Sequence, residues 1–248
     1  MDSDTTNIKI MCNALTAVEN NIDMATAFHE VWKPTTYDEK LLARMSVSYA
    51  TQAFLVIKAA LRREMLLALM RIWDTTKSAH SLNIIIPKLR DQETWKALII
   101  KRSDQTRHTS IAQQIVSQMN KNKDLVLELY STYADHGTKE DIFKQLIKLR
   151  HGNLAHTQAI EAKGPEIDPM DEHIDTFYKD TAILVSKLLS LINGEAKNPD
   201  DTRNVYAHYA KLFWVGVRGE NTEGHPDFKQ KLNAPLNTTS LLIQSSFD

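Results

Sequence analysis

The sequence predicts an all-α protein, an antiparallel bundle of four to five long helices with an insertion of short helices, and three observations predict it. The 248 residues include only seven glycines and seven prolines, too few for a turn-rich β fold. Leu, Ala, Lys, Glu and Gln, all good helix formers, are abundant. Apolar residues recur at spacings of three, four and seven over long stretches, the period of a helix that buries one face.

The elements follow in order. Asn13 to Trp32 reads as a first helix, with Leu15, Val18, Ile22, Met24, Ala25 and Phe28 on one side, and Lys33-Pro34 ends it. Thr35-Thr36 then caps a long helix from Tyr37 to Asp74, whose stripe is Leu41, Met45, Tyr49, Ala53, Val56, Ala60, Leu67 and Met70. Such a helix spans about 55 Å and must lie against other long helices. Ser81 caps a short segment, Leu82 to Leu89, in which Pro87 argues against one long helix; Glu93 to Lys101 is a second short piece. From Asp104 to Tyr133 the stripe is Ile111, Ile115, Met119, Leu125, Leu129 and Tyr133, with a slip in phase near Asn120–Asn122. His136-Gly137 closes that helix, and Thr138 followed by Asp141 resembles a capping arrangement.

The helix from Lys139 carries Ile142, Phe143, Leu146, Ile147 and Leu149 inward and runs into Gly152-Asn153, which tolerates a helix end or a bend. Lys163-Gly164-Pro165 and Asp168-Pro169 mark a loop. Met170 to Asn193, closed by Gly194, and Asp200 to Val217 are the last two long helices. The expected organisation is one helical domain over residues 1–219, with the short-helix insertion at 78–103. A polar, aperiodic tail follows over 220–248 and is expected to be loosely held.

Composition narrows the function classes. The single cysteine, Cys12, excludes an internal disulfide and fits a reducing compartment. The start, Met1-Asp2-Ser3-Asp4, has neither the basic residues nor the apolar run of a secretory signal. The richest apolar run, Leu66 to Met70, is bounded by Arg62, Arg63, Glu64 and Arg71, far short of the ~20 apolar residues of a membrane span. The expected location is cytoplasmic, with no membrane partner. A formal net charge of −1 gives no whole-molecule attraction to nucleic acid, so a polyanion must meet a local basic surface. The phosphate-cradling glycine loops are missing, the nine histidines never fall three or four apart, and one Cys gives no Cys-x-x-Cys. Metal and cofactor are therefore both expected to be none.

One segment gathers chemistry: Leu149-Arg150-His151-Gly152-Asn153-Leu154-Ala155-His156. A guanidinium can clamp a phosphate through two parallel hydrogen bonds. An imidazole can give or take a proton near neutral pH, as cleavage by a ribose 2′-hydroxyl requires. On a straight helix Arg150 and His156 would point ~120° apart and lie ~9 Å apart along the axis. A phosphate fits between them only if the helix bends at Gly152 or a second copy supplies half of the site. Taken alone, Arg and His near a helix end are most often surface residues that favour the C-terminal dipole.

The segment resembles the HEPN superfamily, all-helical domains marked by Arg, a short spacer that often begins with a polar residue, and His. Within it the chain is most similar to the abortive-infection U-type branch. The matching pieces are Leu149-Arg150 with Leu154-Ala155-His156-Thr157, and upstream Leu61-Arg62-Arg63 with Ala68-Leu69-Met70-Arg71-Ile72-Trp73-Asp74 and Ser81-Leu82. The order of helices is also similar, and the resemblance covers roughly residues 15 to 195. It implies a homodimer whose two Arg…His motifs face one another, and a metal-independent endoribonuclease, often a toxin or antiphage effector, with RNA as substrate and an antitoxin protein as a candidate partner. His156 would be the base for the 2′-hydroxyl or the acid for the leaving 5′-oxygen. Arg150 would stabilise the phosphorane-like transition state, and Asn153 would donate to a phosphate oxygen or else simply help to end the helix. His151 fills the polar position after Arg. Lys144 and Lys148 would form a basic track for RNA or a plain solvated face. Arg71 and Asp74 would pair and orient His156, or form an ordinary structural ion pair. Position 158, a modified Tyr in some members, is Gln here, which argues against control by that route. Two other readings stay open: a non-catalytic HEPN-like domain that binds RNA, a nucleotide or a protein, and a helical scaffold whose motif packs at a dimer seam.

Overall fold

The protein is described by a computed structural model over residues 3–46, 48–104, 108–155 and 169–219, with the side chains of 3, 4, 150–155 and 169 excepted. Every regular element among these residues is a helix: α1 (Ser3–Trp32), α2 (Pro34–Tyr37), α3 (Glu39–Met45), α4 (Thr51–Ile72), α5 (Leu82–Arg90), α6 (Gln92–Ser103), α7 (Thr109–Tyr133), α8 (Glu140–Ala155), α9 (Pro169–Ile192) and α10 (Pro199–Gly216). α1 is the hub, packed against α4, α5, α6, α9 and α10. It begins at Ser3 rather than Asn13 because the buried stripe continues upstream: Ile8 and Met11 extend Leu15, Val18, Ile22 and Ala25 at alternating spacings of three and four.

The single long helix expected over 37–74 is two helices, α3 and α4, preceded by the single turn of α2. Side-chain oxygens break it, since Ser, Thr and Asp offer the backbone partners outside the helical ladder. Asp38 accepts from the amides of Lys40 and Leu41, each at 3.0 Å, and so starts α3 afresh. Between α3 and α4 the Thr51 hydroxyl donates to the Met45 carbonyl, and the Ala50 amide donates to Ser48 Oγ at 3.0 Å. Thr35 and Thr36, expected as caps, are buried instead, and Pro34 opens α2. The predicted stripe is divided accordingly. Leu41 and Met45 join Phe54, Ala210 and Trp214 in a small second core, while Tyr49 and Val56 are exposed.

The short-helix insertion is present as α5 and α6. Ser81 accepts from the Asn83 amide at 3.3 Å, and Asp91 accepts from Thr94 at 2.9 Å. α7 runs unbroken through the phase slip. The slip is a buried amide: Asn122 accepts from Gln118 at 3.0 Å and donates across to Ser190 of α9 at 3.2 Å. In the turn after α7, Asp135 and His136 take positive φ of 51° and 63°. Gly137 is demanded there by close approach, for a Cβ would lie 1.8 Å from the Ser131 carbonyl oxygen. Gly194, at φ 81°, closes α9 with its amide on the Leu189 carbonyl at 3.0 Å.

The main core centres on Trp73. Its indole lies parallel to the Tyr130 ring at 5.4 Å and meets Tyr133, Phe143 and Phe177, each at 5.5 Å. One side chain just past the end of α4 thus ties together α7, α8 and α9. The indole N–H is satisfied by Thr181 Oγ1 at 3.0 Å.

Candidate active site

α8 is fixed by its first turns. Leu146 is fully buried, and Phe143 packs on Trp73 and, at 5.7 Å, on Phe177. α8 starts beside Trp73, just past the C-terminal end of α4, and packs against α4. The helix does not end at Gly152-Asn153: the backbone stays helical through Ala155. Arg150 and Asn153, three residues apart, therefore lie on neighbouring positions of one helical face, and His151 lies ~100° around from Arg150. His156 follows the last helical residue and lies outside the described residues.

Lys144 and Lys148 are both exposed, one turn apart on the outside of α8. Lys144 pairs with Glu140 at 3.1 Å, whereas Lys148 has no ion-pair partner among the described residues. The Arg71–Asp74 ion pair expected from i, i+3 spacing is not formed. α4 ends at Ile72, so Asp74 lies past the helix, where that spacing no longer brings side chains together. Its carboxylate accepts from the Thr76 amide at 2.8 Å and its carbonyl from Ser81 Oγ at 2.6 Å, shaping the turn into α5, while Arg71 is exposed.

The polar residues that the fold does bring together lie at the start of α9. α9 begins at Pro169, and two residues on, the buried Asp171 meets Arg62 Nε at 2.8 Å. One turn further, Asp175 faces His29 Nε2 at 2.8 Å. His29 is fully buried, has Glu30 at its other ring nitrogen at 2.8 Å, and stacks on Tyr178 at 4.0 Å. This network joins α1, α4 and α9. Arg62 belonged to the upstream segment already singled out, but no sequence spacing connects it to Asp171, 109 positions later (171 − 62).

A model of the HEPN family AbiU2 matches residues 8–213. The chain belongs to the AbiU2 HEPN family. No curated protein and no solved structure matches it. The AbiU2 match runs from the first turns of α1 into the last turn of α10, so it takes in α10 and the N-terminal half of α1 as well as the expected 15–195. Among the described residues of this AbiU2 chain, no helix is long and apolar enough to cross a membrane.

The acidic network carries a pH signature. Burial pushes the Asp175 carboxyl up, but hydrogen bonds from His29 and Lys179 outweigh it and hold the group at about 2, below the ordinary 3.8. A depressed carboxyl stabilises the fold above its unfolded value and loses that stabilisation as pH falls towards the folded value. The expected result is a steep loss of thermal stability between about pH 4 and pH 2 that Asp175→Asn flattens. An unchanged acid limb in melting curves of the variant would contradict it. Tyr37, beside the same carboxylates, is pushed up to about 12 by burial and by Asp175, Asp171 and Glu172, so it stays a neutral phenol.

Proposed function

We propose that this AbiU2 chain is a metal-independent endoribonuclease that works as a homodimer in the cytoplasm. The observation that carries the reading is Arg150 followed six residues later by His156, at the end of a core-anchored helix in a HEPN family whose domains commonly pair and act on RNA. The 2′-hydroxyl gives its proton to one His156 and its oxygen attacks the adjacent phosphorus. The bond to the 5′-oxygen breaks, and that oxygen takes a proton from the second copy's His156. Arg150 stabilises the charge that develops on the non-bridging oxygens, with Asn153 as a neutral donor one turn away. The products are a 2′,3′-cyclic phosphate and a 5′-hydroxyl. His151, Lys148 and Lys144 contact the flanking phosphates.

Pairing has apolar surface to use. Val205, Tyr209, Leu212 and Phe213 form an exposed stripe along α10, and Val56 and Ile57 are exposed on α4. RNA cleavage of this kind suits a toxin or antiphage effector held in check by an antitoxin protein. The direct test incubates the purified chain with labelled RNA in excess EDTA. Cleavage that persists in EDTA and disappears in His156→Ala is expected; loss of cleavage under EDTA, or full activity of the variant, refutes the mechanism. RNA binding that needs Arg150, with no cleavage under any condition, would instead establish a non-catalytic binding domain.

A further inference from the structure

On the flank of the molecule a groove of 520 Å³ opens between α2–α3 and α10, within the range of small-ligand sites. Four cations line it: Lys33, Lys40, Arg44 and Lys211. Lys33, Lys40 and Lys211 have no ion-pair partner among the described residues. The two acids on its wall are already engaged. Asp38 accepts from the amides that open α3, and Glu30 is buried against His29. Arg44 is held in place by donating to the carbonyl of Trp214 at 2.7 Å, while its Nε is buried with no hydrogen-bond partner. Two rings complete the lining. Tyr37 is 36% exposed and neutral, so it can donate to an anion without repelling it. Trp214 is anchored by its indole N–H on the Val31 carbonyl at 2.8 Å.

A cavity with an excess of unpaired cations, one ordered guanidinium and an apolar-aromatic wall suits a compact anion that carries an apolar or planar part. We infer that this groove binds a small phosphorylated ligand, its phosphate on Lys33, Lys40, Arg44 and Lys211 and its remainder against Tyr37 and Trp214. The lining residues of the groove include neither Arg150 nor His156, and the inference does not rest on the ribonuclease reading.

The test is calorimetric titration of the full chain with pyrophosphate and with a nucleoside monophosphate, alongside a short single-stranded RNA. One site per chain is expected for at least one of the two small phosphates, weakening as salt rises. A Lys33→Ala/Lys211→Ala variant is expected to bind at least about tenfold more weakly. Lys9→Ala, which removes a lysine 24 residues earlier on α1 (33 − 9) and hence ~36 Å away, is expected to bind as the parent does. His156→Ala is expected to bind the small phosphates unchanged, which separates this site from the catalytic reading. Tighter binding of the monophosphate than of pyrophosphate supports a role for the rings; equal binding supports recognition of the phosphate alone. Absence of binding for both small phosphates, equal weakening by Lys9→Ala, loss of binding in His156→Ala, or binding of RNA only would overturn the inference. The altered lysines are exposed and lie outside both cores, so melting curves without ligand are expected to match.

Discussion

Cleavage of RNA by His156→Ala is expected to be slower than that of the parent chain by at least about 10²–10⁴-fold, the usual contribution of one positioned proton-transfer group, because the variant removes the base and the acid together. Single-turnover rates on end-labelled RNA measure it. Arg150→Ala is expected to cost about 10²–10³-fold, the effect of removing a donor aimed at developing negative charge. Arg150→Lys is expected to recover only part of that loss, because an ammonium keeps the charge but not the two parallel N–H bonds. The two losses should not add when combined, since both groups act on one transition state. Melting temperatures of all three variants are expected to stay close to the parent value. A variant that lost activity only in proportion to lost folded protein would show that the motif is structural.

Trp73→Ala is expected to destabilise the fold by about 3–5 kcal/mol, the range for removing a large buried aromatic side chain. Trp73 is 5% exposed and is the point where the end of α4 meets α7, α8 and α9. Its removal opens a cavity beside Tyr130, Phe143 and Phe177 and strips Thr181 of its buried N–H partner. Against a total stability of roughly 5–15 kcal/mol this is a large share, and urea unfolding reads it directly. Because Phe143 seats the first turn of α8 on Trp73, the same change is expected to lower cleavage beyond the loss of folded protein, and Trp73→Phe to restore part of it. A stability loss below about 1 kcal/mol would mean that the aromatic cluster does not hold α8.

The bundle was legible because its core helices obey one period. The spacing of Leu15, Val18, Ile22 and Ala25 acts through neighbours three and four residues away, and the cap at Ser81 through an amide two residues on, all of which a linear sequence displays. The misreadings share a cause. The stripe from Leu41 to Met70 looks continuous, yet Asp38, Ser48 and Thr51 draw backbone groups out of the ladder, and hydrophobic spacing does not register such competition. Asn122 looked like a fault in α7 because its partner, Ser190, lies on another helix. Arg71 and Asp74 were expected to pair because the helix was drawn too long; two residues decide whether i, i+3 spacing means contact.

The candidate site divides in the same way. Arg150, His151, Asn153 and His156 are close in sequence and were visible as a motif, and the backbone keeps the first three on one helix. The polar groups gathered near the start of α9 were not, since Arg62–Asp171 and His29–Asp175 are contacts between distant segments. His29 in particular reads as one more residue on the first helix. Glu30, its neighbour on α1, meets one ring nitrogen, and only the packing of α9 brings Asp175 to the other.

The most direct measurement uses an RNA that carries a single 2′-deoxyribose at a mapped cleavage position, assayed in EDTA against the all-ribose strand. Attack by the ribose hydroxyl, driven by Arg150 and His156, predicts that the substituted position is left intact. Every cut elsewhere should end in a 2′,3′-cyclic phosphate. Cutting at the deoxy position, or products that end in a 3′-hydroxyl, would contradict it.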